Sequence, residues 1–528
     1  MKYLFVCVLM SSVLYSCNNI GNQAMRIIYD DSVDISALET TPSIIVDTLQ
    51  LKNSSEEVKS FYEKNEYKLG WDNANNRKQL VDAIYSLQYD GIKIAKYNID
   101  ILEGYHKRYE TLSNADKIKA DIYFSNAYTK AIDHLLNGML NARNLYNDWD
   151  IDRKELNPSS TMLLALSNEA ISTTFDSVRP KQEIYAKYRS KLEQLYALEQ
   201  DSLITFKGAK LNDTILSIVA VKKHLSFLNY LKDVDTSDVT YNTAIANSVK
   251  KYQTKNKLTP NGYLDDKTKQ TILAEEEMIK KKLVVNLERW RWFPREFGEH
   301  YILVNIPDFH LVAVSNNDTV QKLKVVVGKP ERKTPILSSK LTTVVINPTW
   351  TVPPTIMKND LIPSAKANLG YFASRNFTIY NSAGKVVEPA NWNSEKGTSY
   401  RYVQKGGVGN TLGRIKFMFN NNHAVYLHDT PSKWGFDKNQ RGLSSGCVRV
   451  QNPFDLAQFV FDIEKTNLSK EKVQEVLESQ KTSNYGTSKV PIEIHQLYWT
   501  VQVDNKGQIT YFNDLYEYDD NLYSRLLN

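Results

Sequence analysis

Between residues 55 and 205, apolar residues recur three and four positions apart among charged ones. Ala115, Ile118 and Ile122 share one helical face, and Ala127, Ala131 and Leu135 continue it at a spacing of four. With few prolines, this stretch predicts a mostly helical region. A smaller unit follows over 207–276. Val221, Leu225 and Leu228 mark a helix over Val221–Leu231, and Ile245, Val249 and Tyr252 mark a second over Ala244–Gln253. Pro260-Asn261-Gly262 is a turn signal, and a third helix begins over Thr268–Leu273. From Tyr301 the period shortens. Short runs rich in β-branched residues at Tyr301–Ile306, His310–Val314, Leu323–Val327 and Leu341–Ile346 are separated by turns, which predicts a β-rich domain to about residue 463. Lys470–Ser479 reads as a helix, and Val490–Val503 and Ile509–Phe512 read as terminal strands.

The N-terminal apolar run, Leu4 to Leu14, follows Lys2 and ends in Leu14-Tyr15-Ser16-Cys17. It is too short to span a bilayer and fits an export signal with a lipidation box. Residues 1–17 are therefore expected to be a lipoprotein signal, Cys17 the lipidated residue, and the polar stretch 18–50 a tether. No later segment approaches transmembrane length. The chain has 528 residues, enough for several domains, and a formal net charge of +6. That balance is too weak to argue for nucleic acid. Lys280-Lys281-Lys282 reads as a solvated helix face.

Of the three cysteines, Cys7 lies in the apolar run and Cys17 in the box. Cys447 is then a lone thiol in an exported protein and a candidate nucleophile. In Ala424–Thr430 read as a strand, Val425 and Leu427 share one face while Tyr426 and His428 share the other. After Gly446 the same rule puts Cys447 and Arg449 on one face, with Val448 and Val450 on the core side. Adjacent strands would bring His428 and Cys447 together, with Asp429–Gly446 bordering a groove. A neighbouring imidazole can take the thiol proton and return it to an amine. The amides of Gly446 and Cys447 can donate to an oxyanion, and Arg449 suits a carboxylate. Asn452 and Pro453 are expected to cap a helix over 453–463. The remaining histidines suggest no metal site. His106 and His134 are isolated, His423 and His428 lie five apart on one strand and so on opposite faces, and His300 and His310 lack further ligands. A papain-like peptidase is disfavoured because His428 precedes Cys447 in the chain.

The segment His428…Ser445-Gly446-Cys447-Val448-Arg449 resembles the signature of the L,D-transpeptidases. Trp290-Arg291-Trp292, Asn347-Pro348-Thr349-Trp350, Gly409-Asn410-Thr411-Leu412-Gly413-Arg414 and Tyr498-Trp499-Thr500 are similar to the large subgroup of that family. Tyr252-Gln253, Leu258 and Gly262 resemble a three-helix peptidoglycan-binding domain. The resemblance implies a multidomain α+β fold: a helical scaffold over 51–206, the peptidoglycan-binding domain over 207–276, a linker helix over 277–298, and a mostly β catalytic domain over 299–480. It also implies a capping loop at about 366–405 and C-terminal strands over 481–528. By resemblance Cys447 is the nucleophile and His428 the base. Tyr426, Ser445, Gly446, Arg449, Trp350 and Asn410 belong to the oxyanion or substrate groove. The expected reaction is 3→3 cross-linking of peptidoglycan stem peptides, as donor and acceptor, through a cysteine acyl-enzyme with release of D-Ala. No cofactor is expected. Water as acceptor would give an L,D-carboxypeptidase, an envelope-protein amine an anchoring enzyme, and loss of chemistry a wall-binding scaffold. A periplasmic protein held to the outer membrane by its lipid alone would follow.

Overall fold

The computed structural model describes residues 44–199, 203, 209–232, 234–466, 468–487 and 489–528. The export signal, Cys17 and most of the tether lie outside these residues. The scaffold packs helices such as Glu56–Lys64, Ala74–Ser86 and Asn114–Asn137 around Trp71, Phe124, Tyr128 and Leu135. The longest of these starts where the Ser113 hydroxyl accepts the Asp116 amide and stops at Gly138, whose φ is +83°. A Cβ at Gly138 would clash with Glu288 and Trp292, so the glycine also permits close contact with the next domain.

In the small unit, the helices Ile218–Phe227 and Thr243–Lys255 and the start of Asp266–Trp292 enclose Val221, Ile245, Val249 and Tyr252. Tyr252 fills this core. Gln253 clamps the turn, accepting the Gly262 amide (2.9 Å) and donating to the Tyr263 carbonyl (2.9 Å). That division of labour accounts for a Tyr-Gln pair placed ahead of a glycine turn. The third helix does not end near 276. Asp266–Trp292 is one continuous helix, capped by Asp265, and it runs through the expected linker into the core of the catalytic domain.

Strand β1 (Trp149–Asp150) comes from the scaffold. The catalytic domain supplies β2 (His300–Asn305), β3 (His310–Ser315), β4 (Asp318–Gly328) and β5 (Ile336–Ile346). After a folded insertion come β10 (Ile415–Phe419), β11 (Leu427–His428), β12 (Gly442–Ser444), β13 (Val448–Val450), β14 (Ser483–Gly486) and β15 (Glu493–Leu497). The insertion carries β6 (Trp350–Thr351), β7 (Phe377–Tyr380), β8 (Val386–Val387) and β9 (Arg401–Gln404), and a hairpin of β16 (Val501–Val503) and β17 (Ile509–Tyr511) follows β15. The order β5-β10-β11-β13-β4-β3-β2-β15 closes on itself because β15 also pairs with β5. Alternate residues such as Ile302, Val304, Val325, Phe417, Leu427 and Val448 fill the inside of this ring. β1 adds to β5 in parallel, so the scaffold is tied to the catalytic sheet by backbone.

Several expectations need correction. The cap is a subdomain, not a loop over 366–405. It begins at β6, runs through the Pro354–Ile356 turn and helices to Ser374 and on through the β6-β9-β7-β8 sheet, and has its own core of Leu361, Ala365, Phe372, Trp392 and Tyr402. Val490–Val503 is broken at Tyr498–Thr500, where the backbone leaves the sheet to join the hairpin. The chain then ends in a helix, Tyr518–Leu527, rather than in strands. Lys281 and Lys282 are not a solvated face: they pair with Asp520 and Asp519 of that helix, with Lys282 at 3.0 Å. Asn452 holds the N-cap position of Pro453–Ile463, but its side chain makes no capping bond.

Candidate active site

β11 and β13 run side by side in parallel, with Leu427 opposite Val448 and His428 opposite Arg449. Leu427, Val448 and Val450 point into the ring, so Tyr426, His428, Cys447 and Arg449 face outward on one surface. The register sets Tyr426 beside Cys447 and His428 one diagonal step away. β10 adds Lys416, opposite His428, to the same face. Cys447 packs against both the ring core and the cap core.

A cleft of about 500 Å³ opens over these residues. It is lined by Trp350, Pro353 and Ile356 of the cap and by Tyr426, His428, Ser445, Gly446, Cys447 and Arg449 of the sheet. Arg332, Lys333, His423 and the scaffold residue Asp148 border it. His423 therefore shares a cleft with His428 instead of facing the opposite side, because residues 421–426 form a turn rather than a strand.

The turn before Cys447 is held from several directions. The Ser444 hydroxyl accepts the Gly446 amide (3.1 Å) and donates to the Cys447 carbonyl (2.5 Å). The Gly446 amide is thus occupied and is not a free oxyanion donor, which leaves the Cys447 amide for that position. Gly446 has a φ of +111°, a conformation that favours glycine. Its carbonyl accepts from the Thr334 hydroxyl (2.8 Å). The Tyr516 hydroxyl receives the Thr334 amide (3.0 Å) and donates to the Gly328 carbonyl (2.8 Å), tying the C-terminal segment to the nucleophile turn. Ser445 accepts from Arg332 (3.0 Å), whose guanidinium also pairs with Asp360 of the cap (2.5 Å).

His428 is buried, and its Nδ1–H donates to the Asp429 carbonyl, so in the neutral ring Nε2 is the proton acceptor. The Asp429 carboxylate accepts the Arg414 amide (2.8 Å) and pairs with Lys433 (2.5 Å). Gly413 is required here, since a Cβ would stand 2.3 Å from Asp429. Asn410 lies 2% exposed and ties its loop to the segment after β5, donating to the carbonyls of Pro348 (3.0 Å) and Lys405 (2.8 Å). It packs under the His428 support and does not line the cleft, whereas Trp350 does.

Burial, then the nearby Arg449 guanidinium, pushes the His428 imidazole down to about 4, against the pull of the Asp429 and Leu412 carbonyls. Burial also pushes the Cys447 thiol up, opposed by contacts from Tyr426 and by the charges of Lys416 and Arg449. At rest Cys447 is thus a thiol and His428 a neutral imidazole. Burial lowers both Lys416 and Arg449, and neither has a carboxylate within ion-pair reach among the described residues. The Lys416 ammonium instead lies 3.8 Å from the centre of the Tyr426 ring. Sequence reasoning missed Lys416, Thr334, Arg332 and Tyr516. Only Lys416 left a signal, as a polar residue alternating with the apolar Ile415 and Phe417 on the strand before His428.

Residues 299–474 match the model of the L,D-transpeptidase catalytic domain, 56–192 that of the scaffold domain, and 216–272 that of a peptidoglycan binding domain. Residues 299–474 are thus similar to the L,D-transpeptidase catalytic domain, beside a scaffold-like and a peptidoglycan-binding-like segment. A Haemophilus influenzae protein named "Putative L,D-transpeptidase" is 36% identical over 250 residues, covering 47% of this chain and 50% of the relative. The chain thus spans about half the length of that curated relative. The L,D-transpeptidase of Xylanimonas cellulosilytica (12% identity, 56% of this chain and 100% of that one) has a TM-score of 0.17. The Ldtfm–avibactam carbamoyl enzyme (12% identity, 58% of this chain and 98% of that one) has a TM-score of 0.19. At those scores neither structure carries an argument.

Proposed function

We propose that the protein is a peptidoglycan L,D-transpeptidase that forms 3→3 cross-links through an acyl-enzyme on Cys447. The observation that carries this reading is the free thiol of Cys447, half-buried between two cores, with a buried imidazole and two cations around it that lack carboxylate partners among the described residues. The match of residues 299–474 supplies the reaction class.

Cys447 Sγ forms a bond to the carbonyl carbon of the third stem residue while its proton passes to His428 Nε2. The Cys447 amide, with Lys416 nearby, offsets the charge on the developing oxyanion. The C–N bond to D-Ala breaks, and the departing amine takes the proton from His428. The amine of a second stem then attacks the thioester, gives a proton to His428, and displaces the thiol, which recovers that proton. Arg449 suits a stem carboxylate, having no acid of its own. The cap residues Trp350, Pro353 and Ile356 keep water from the thioester, which favours an amine acceptor over hydrolysis. Such a substrate places the protein outside the cytoplasm. Lipidation at Cys17, with residues 18–50 as tether, is the proposed means of attachment.

Mass spectrometry of products from purified tetrapeptide muropeptides tests the reading. Loss of D-Ala with a dimer product is expected. A monomer product alone would make the protein a carboxypeptidase, a stem joined to an envelope protein would make it an anchoring enzyme, and no product would leave a wall-binding scaffold.

A further inference from the structure

A second groove, of about 680 Å³, lies round the ring from Cys447 on the same outward surface. Its floor is the outer face of the sheet: Tyr301 and Leu303 from β2, His310 and Val312 from β3, and Lys322 from β4. Leu303, Val312 and Lys322 stand in one cross-strand row. The residues between them, Ile302, Val304, Leu311 and Ala313, point inward and are fully buried. One wall is the scaffold helix Glu183–Glu199 through Ile184, Lys187 and Tyr188, and the other is the β16–β17 hairpin through Gln502 and Phe512. Trp499 sits at the base. It stacks on Trp290 at 4.0 Å and 17°, and its backbone is clasped at both polar atoms by Asn305 (2.9 and 3.1 Å).

The lining selects a class of ligand. Lys187, Lys322 and Lys506 are matched by Glu183, Asp308 and Asp504, so the groove has no net field to draw in a nucleic acid or an anionic lipid. β2, β3 and β4 are each paired on both edges, so no strand is free to receive an extended peptide by main-chain pairing. What remains is a rigid aromatic base with a neutral, hydrogen-bonding rim. The Tyr301 hydroxyl and the Lys322 ammonium have no protein partner among the described residues. Aromatic faces against apolar C–H surfaces, with polar groups at the edge, suit a neutral sugar. The hairpin that forms one wall also touches the peptidoglycan-binding unit, where Asn229 donates to the Gly507 carbonyl (3.2 Å). A chain leaving that unit would reach the groove along the hairpin.

The geometry points to this groove as a binding site for a neutral saccharide chain, the N-acetylated amino-sugar backbone of the wall. The saccharide class rests on the lining, and its identity as the wall backbone rests on the function proposed above. The test is calorimetric titration of the whole mature chain with chitohexaose, a stem-free oligomer that offers Cys447 no peptide. Val312→Arg, which fills the groove from the outer sheet face, and Tyr301→Ala should each bind about tenfold more weakly or lose one site. Val312→Arg should keep the wild-type melting temperature, and both variants should keep the wild-type rate of Cys447 acylation by a tetrapeptide stem. Wild-type affinity and stoichiometry in Val312→Arg, or no chitohexaose binding by the wild type, would overturn the proposal. If the variants lose sugar but a tetrapeptide stem fails to acylate Cys447 in the wild type and in both variants, the saccharide site stands and the reaction assigned to Cys447 falls.

Discussion

Two regions of this molecule bury cations, and they do so in opposite ways. At the junction of scaffold and catalytic domain, Arg291 and Glu288 are both fully buried and paired at 2.5 Å. Arg291 also donates to the Asp90 carbonyl (2.5 Å), and the Asp90 carboxylate takes Arg179 (3.1 Å) and the Tyr185 hydroxyl (2.8 Å). Each charge there has an opposite charge and further hydrogen bonds, the condition under which a buried ion is tolerated. Around Cys447, Lys416 and Arg449 are half-buried with no carboxylate beside them among the described residues. The first arrangement is complete without a ligand and joins two domains. The second becomes complete only when an anion arrives or forms, as a thiolate, an oxyanion or a substrate carboxylate. Buried charge by itself does not mark a site, whereas buried charge without its counter-ion does.

Variants on the two sides should separate rate from stability. His428→Ala should slow acylation of Cys447 by about a hundred- to ten-thousand-fold, the usual cost of a positioned base, with an unchanged melting temperature. A large loss of stability together with the rate would mean that His428 is a packing residue. Glu288→Ala leaves Arg291 buried without its acid and should cost about 3–5 kcal/mol in urea unfolding, while folded molecules acylate at the wild-type rate. A rate loss at constant stability would break the contrast.

The next effects are smaller. Lys416→Met removes a cation from beside the thiol, which disfavours the thiolate. Acylation should slow about tenfold near neutrality and its pH profile should move to higher pH, with stability equal or improved. An unshifted profile would remove Lys416 from the chemistry.

The pH dependence of stability offers a further check. His428, His134 and His495 are each pushed down to about 4 by burial, so the folded state stays neutral where the unfolded chain, titrating near ~6.5, takes up protons. Stability should therefore be full above pH ~6.5 and fall as pH drops from there toward about 4. His428→Gln should flatten that fall in thermal melts, and an equal slope in both proteins would contradict the buried neutral ring. The smallest effect belongs to Asp360→Ala. Its pair with Arg332 is partly exposed, with Asp360 47% accessible, so the stability cost should stay below about 1 kcal/mol. Any larger change in turnover would point to the tie between cap and Ser445.

The face that gathers Tyr426, His428, Cys447 and Arg449 was legible in the sequence because side chains alternate strictly on short strands, whatever the wider topology. The supports were not. Thr334 meets Gly446 and Tyr516 only through the closed sheet and the C-terminal turn, contacts that no local pattern encodes. Asn410 read as a groove residue because a motif carries identity but not direction, and its amide turns inward to the Pro348 and Lys405 carbonyls. The lysine run at 280–282 read as solvated because the acidic helix that receives it lies more than two hundred residues away. The cap began earlier than expected because Pro354 and the short helices after it carry no strong period.

The central claim is that Cys447 becomes acylated. Its most direct test is intact-mass analysis, followed by peptide mapping, of wild type and Cys447→Ala after brief exposure to a tetrapeptide stem. The account predicts one adduct per wild-type chain, mapped to the peptide containing Cys447, and none on Cys447→Ala. An adduct that persists in Cys447→Ala, or cross-linked product formed by that variant, would contradict it.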